Sequence, residues 1–189
     1  MSLSTLQPNA LYIALFTRGY PNQPDDFHWA LYLHHNVQKG GIKYHVRNRG
    51  AGWTVDHGST KGILKEALLV CLVQIAVIPD GKEEFVNEVF RSLDGTLNEG
   101  EITCRTWILR VLEPLMRSGK GEGEGDGVKI LGCESIEGLE REVKDLGNRY
   151  MDEANENVQP RPVEVSRFRL DSTRFVLTEA HNVYSENDV

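Results

Sequence analysis

Disulfide chemistry has little to work with in this chain. Its three cysteines, Cys71, Cys104 and Cys133, are an odd number. They cannot close a disulfide framework and point to a reducing, cytoplasmic compartment. No basic stretch leads into an apolar one near the start, so no secretory signal is read there. The longest apolar run, Ala67 to Pro79, is broken by Gln74 and falls short of the roughly 20 residues needed to span a bilayer. Positive charge is also scarce: 21 Lys and Arg stand against 28 Asp and Glu, a net charge of −7. A chain with that balance lacks the basic field that displaces counterions from phosphate, so no nucleic-acid partner is expected.

What remains is a globular composition, 40% hydrophobic and 26% charged, too apolar for a disordered chain. The 189 residues suit a single domain with a self-sufficient core. The first half reads as β. Leu11 to Thr17 is an apolar run that suits a buried strand, and Arg18 to Asp26, with two prolines and a glycine, reads as a loop. His28 to His34 alternates, Trp29, Leu31 and Leu33 on one face and His28, Ala30, Tyr32 and His34 on the other. Gly40 and Gly41 turn the chain into Ile42 to Arg47, with Lys43, His45 and Arg47 opposite Ile42, Tyr44 and Val46. Trp53 to Asp56 reads as a further short strand, and Leu68 to Ile78 as a long central strand or a buried helix, two readings that pattern alone does not separate.

The second half reads as mainly helical. Helical stripes run through Glu83 to Ser92, Cys104 to Met116 and Ser135 to Ala154, with Ser135 as N-cap and Pro114 bending the second helix near its end. Gly119 to Gly127 alternates glycine with charge and reads as a flexible loop. Arg167 to Leu177 is expected to return as a last strand, and the tail from Thr178 to fray. The expected fold is α+β, a small antiparallel sheet packed against helices.

Three residues are candidates for chemistry. Cys104 opens an amphipathic helix, where the N-terminal partial charge favours a thiolate, and it faces inward with Trp107 and Ile108. His28 opens a strand, a rigid support for a general base. His45, on the next strand, could orient His28 through its other ring nitrogen. His34, His35 and His57 are weaker candidates placed at turns, Cys71 reads as core, and acidic neighbours oppose activation of Cys133. His28, His45 and Cys104 lack tight metal-ligand spacing, so neither a metal nor a cofactor is expected.

Taken together, a strand opening His28-Trp29-Ala30-Leu31-Tyr32-Leu33, a second with Tyr44-His45-Val46, and a cysteine opening a helix resemble the circularly permuted papain-like superfamily. The likeness is to the NlpC/P60 peptidases and their lecithin:retinol acyltransferase-like branch, and it covers roughly Leu11 to Met116. The chain is also similar to small fungal proteins with a cysteine-and-tryptophan helix. The papain-like resemblance implies Cys104 as nucleophile, His28 as base and His45 as orienting residue. It implies a thiol-dependent acyltransferase or hydrolase. Because the chain after Met116 is polar, the expected substrate is a small soluble acyl or amide compound. Two alternatives stand beside it. One is a non-catalytic small-molecule-binding or interaction module, its 3-4-3-4 helix offering a face for a homodimer. The other is a cofactor-free isomerase or cyclase using the histidines as acid and base.

Overall fold

The computed structural model describes residues 2–117 and 129–170. Eleven helices and strands follow one another among them: β1 (Ala10–Thr17), β2 (Phe27–Asn36), β3 (Gly40–Tyr44), β4 (Val46–Asn48), β5 (Trp53–Val55), β6 (Gly58–Thr60), β7 (Leu69–Val77), α1 (Glu83–Arg91), α2 (Cys104–Leu112), α3 (Ile136–Asn155) and β8 (Val163–Val165). Six strands form one sheet in the order β6-β3-β2-β1-β7-β8, and β4 and β5 form a separate hairpin. All pairings are antiparallel except β7 with β8. The fold is α+β, with a larger sheet than the sequence suggests.

The first strand is apolar because it lies in the middle. It is hydrogen-bonded to β2 on one side and β7 on the other, and every residue from Ala10 to Phe16 is buried. Leu11, Ile13 and Leu15 join Trp29, Leu31 and Leu33 on one face, where Trp107, Ile108 and Val111 of α2 and Leu139, Val143 and Leu146 of α3 cover them. The opposite face is buried as well. Tyr12, Phe16, Ala30 and Tyr32 pack there beneath Leu3 and Leu6 of one short 3-10 turn and Ile63 and Leu64 of another. His34, expected at a turn, is fully buried within β2 and shares a 3.2 Å contact between its Nδ1 and the Tyr32 hydroxyl.

Three sequence expectations change. The strand expected to run unbroken from Ile42 to Arg47 is interrupted at His45, because β3 pairs with β2 and β6 while β4 leaves the sheet to pair with β5. The last strand is Val163–Val165, paired with β7, and Arg167 to Leu170 form no strand. The rest of the expected 167–177 strand, the 119–127 loop and the 178–189 tail lie outside the described residues. The stripe on α3, read as a face for a homodimer, is occupied within the chain, with Leu139, Val143 and Leu146 buried in the core. Pro114 does end α2, which passes at Leu112 into a 3-10 turn over Glu113–Met116.

Two long-range ties hold the elements that border the site. The loop after β1 is pinned to α3, since Asp25 N–H donates to Asn148 Oδ1 at 2.9 Å and Asn148 Nδ2 donates to Asp25 Oδ1 at 2.8 Å. Arg161 is 1% exposed and donates to the carbonyls of Glu153, Ala154 and Val158 at the end of α3 and to that of Ala67, just before β7. A cation there meets the negative end of the helix and satisfies carbonyls that the helix leaves without partners.

Two core substitutions test this packing. Trp107→Ala removes a fully buried indole and should cost about 3–5 kcal/mol. Gly147→Ala is the sharper case. Intrinsic propensity favours alanine in a helix by about 1 kcal/mol, yet its Cβ would lie 2.6 Å from Leu15 Cδ1 and 2.8 Å from the Phe27 ring. Overpacking of that kind costs about 1–3 kcal/mol, so the urea midpoint should fall; a rise would place α3 further from β1 than it is here.

Candidate functional site

The central strands β1, β2 and β7 are buried on both faces, so polar side chains gather at the end of the sheet. Thr17 closes β1, His28 is the second residue of β2, and His45 follows the last residue of β3. A cavity of about 650 Å³ opens there, lined by His28, His45 and Cys104 among others. The three residues singled out by sequence, spread over 77 positions of chain as their numbers state, therefore border one space.

Cys104 is placed by the start of α2. Thr103 is the N-cap: its Oγ1 accepts from Thr106 N–H at 3.1 Å, and Thr106 Oγ1 accepts from Thr103 N–H at 2.8 Å. This reciprocal capping box makes Cys104 the first helical residue. The thiol is 3% exposed and makes no hydrogen bond to either imidazole. Cys71 and Cys133 are buried too. Burial, with Glu164 adding to it, pushes the Cys71 thiol up to about 12, and burial also raises Cys133.

The imidazoles of His28 and His45 meet edge to face, with His28 Nε2 3.0 Å from His45 Nδ1. Burial is the main reason that both hold their protons weakly. His28 is lowered to about 4, with Arg47, Arg18 and Lys43 contributing. His45 is lowered to about 3, with Lys43, His28 and Arg47 contributing. Both rings are therefore neutral at pH 7, and each keeps one proton and one lone pair.

The surroundings of His45 contain residues that sequence reasoning missed. The β4–β5 hairpin pairs Val46 with Val55 and returns Asp56 beside His45, where Asp56 N–H donates to the His45 carbonyl at 2.9 Å. Asp56 Oδ2 lies 3.6 Å from His45 Nε2, 2.8 Å from Arg47 Nε and 3.7 Å from Arg49 Nη2. His57, read as a turn residue, supports the backbone. Its Nδ1 accepts from His45 N–H at 3.1 Å, and its Nε2 lies 3.2 Å from Asp94 Oδ1. An acceptor at Nδ1 puts the His57 proton on Nε2, facing the carboxylate. The glycines between Arg49 and Trp53 signal a hairpin turn in the sequence; the register that sets Asp56 against His45 is not written there.

Lys43 also lines the cavity, its ammonium 2.8 Å from both Glu66 carboxylate oxygens and above the Phe16 ring. Among the described residues, no group of three or more His, Cys, Asp or Glu is arranged to hold a metal ion, and no helix is long and apolar enough to cross a membrane.

A family model covers residues 9–159, from the start of β1 to the turn beyond α3. The chain belongs to DUF6914, a family of unknown function. No curated protein and no solved structure matches it. The matched span includes every residue that lines the cavity, Cys104, His28 and His45 among them, and Asp56 beside it.

The lowered histidines predict an acid-sensitive fold. Their folded values lie below the ordinary 6.5, so below that pH the unfolded chain binds more protons and stability falls. The contribution is complete above about pH 6.5 and declines toward pH 4. Buried His34, also lowered, adds to the same trend. Urea midpoints measured at pH 7 and 5 should differ, and His45→Gln should narrow the difference; an unchanged difference would mean that His45 is not held neutral by the fold.

Proposed function

We propose that this chain performs thiol-dependent acyl chemistry, transfer or hydrolysis, on a small acyl or amide compound seated at the end of the sheet. The observation that carries the reading is the convergence of Cys104, His28 and His45 on one cavity, with the two imidazoles 3.0 Å apart. In this reading Cys104 Sγ attacks the carbonyl carbon and His28 takes the thiol proton. A tetrahedral oxyanion forms and collapses to a thioester as the leaving group departs with that proton. Water or an acceptor alcohol or amine then attacks the thioester, and the thiol is regained. His45 holds the His28 ring in place. The Cys104 backbone N–H, free of an intrahelical partner at the first position of α2, is a donor for the oxyanion.

Substrate has to draw the sulfur and the His28 ring together, since no hydrogen bond joins them; catalytic contacts commonly tighten only in the complex. That same separation favours a second reading, a small-molecule-binding module in which Cys104 is a wall of the cavity and nothing more. Its walls suit a polar ligand with an apolar part, since Lys43 and Arg47 stand beside Phe16 and Trp53.

Alkylation separates the two. With iodoacetamide at pH 6.5 and mass-spectrometric readout, Cys104 should be labelled well before Cys71 and Cys133, and His28→Ala should slow that labelling by about tenfold without unfolding the chain. Equal labelling of the three, or labelling of Cys104 that ignores His28, would leave the binding module as the better account.

A further inference from the structure

We propose that Asp56 is a positioning residue that sets which nitrogens of the His28–His45 pair carry protons, and that Arg47 competes with His45 for it. The catalytic meaning of this assignment rests on the thiol reading; the proton placement itself does not.

Two neutral imidazoles joined by one contact have two arrangements. In the first, His28 Nε2–H donates to His45 Nδ1. The His45 proton is then on Nε2, facing Asp56, and His28 Nδ1 has a free lone pair that can take a proton. In the second, His45 Nδ1–H donates to His28 Nε2. The bare Nε2 of His45 then faces a carboxylate, lone pair against negative charge, and the His28 proton sits on Nδ1, leaving that ring no free lone pair. Only the first arrangement contains a base. The His45 side chain is 3% exposed, so water has little access to replace the carboxylate.

Asp56 is poised and not closed. Its Oδ2 stands 3.6 Å from His45 Nε2, beyond hydrogen-bond range, and 2.8 Å from Arg47 Nε. The charged and titratable groups acting on His45 are Lys43, His28 and Arg47, with Asp56 opposing them; Lys43 is itself tied to Glu66, and His57 meets His45 only at the backbone N–H. Among the described residues Asp56 is thus the one acidic group that bears on the ring, and Arg47 is the nearer of the two arginines that hold it back, Arg49 lying at 3.7 Å.

The test uses the full chain with ¹⁵N-labelled histidine. Long-range ¹H–¹⁵N spectra at pH 7 distinguish the two tautomers and need no substrate. His28 and His45 should both be protonated at Nε2. In Asp56→Ala that preference should be lost, and iodoacetamide labelling of Cys104 should slow about tenfold. Arg47→Gln should act in the opposite direction, keeping the Nε2–H tautomers and raising the labelling rate about two- to threefold, because Asp56 is released to His45. If Asp56 served only to tether the arginines, the two substitutions would loosen the same hairpin and change the rate in the same direction. Unchanged tautomers in Asp56→Ala, or equal slowing in both variants, overturns the proposal. If Cys104 never labels ahead of the other cysteines while the tautomers still answer to Asp56, the thiol reading falls and the proton assignment stands. If labelling depends on His28 but neither variant alters the tautomers, the reverse holds.

Discussion

β1 is bonded on both edges and covered on both faces, and the rest of the molecule is arranged around that fact. Its neighbours β2 and β7 supply the backbone partners, α2 and α3 cover one face, and the N-terminal segment with the turn at Ile63–Lys65 covers the other. A strand in that position has no tolerance for polar side chains, since each would lose its hydration without gaining a partner. Polar groups are consequently displaced to the sheet's end, and the cavity lies there.

The same burial gives the cavity its chemical character. Two imidazoles removed from water, near Lys43 and Arg47, lose their affinity for protons and stay neutral. Two neutral rings, each with one N–H and one lone pair, can hydrogen-bond to each other along a fixed line, whereas two protonated rings would offer only donors. The line is held by backbone as much as by side chains: the interruption at His45 lets the chain leave the sheet, and the His57–Asp94 pair holds the His45 amide at that point. A continuous strand would have carried His45 onward in the ladder and left Asp56 without a route back to it.

Much of the fold was legible because period and punctuation agreed. The alternation from His28 to His34 and the 3-4-3-4 spacing from Ile136 to Tyr150 each describe one element and one buried face, and both elements formed with the expected caps or turns. The errors share a cause. His34 reads as a turn residue and the face it shares with Tyr32 stays unassigned, because alternation separates two faces without saying whether the second is also covered, and here distant residues, Leu3, Leu6, Ile63 and Leu64, cover it. Ile42 to Arg47 looked like one strand because a change of partner leaves no mark in hydrophobic period.

The site divides along the same line. Residue type and local position were enough to pick out Cys104, His28 and His45, since a capped helix start and a strand end are local features with local causes. That these three border one cavity, that the imidazoles touch, and that Asp56 stands between His45 and Arg47 depend on strand register and on the return of a hairpin. Those are set by contacts between residues far apart in the chain, and only the tertiary structure decides them.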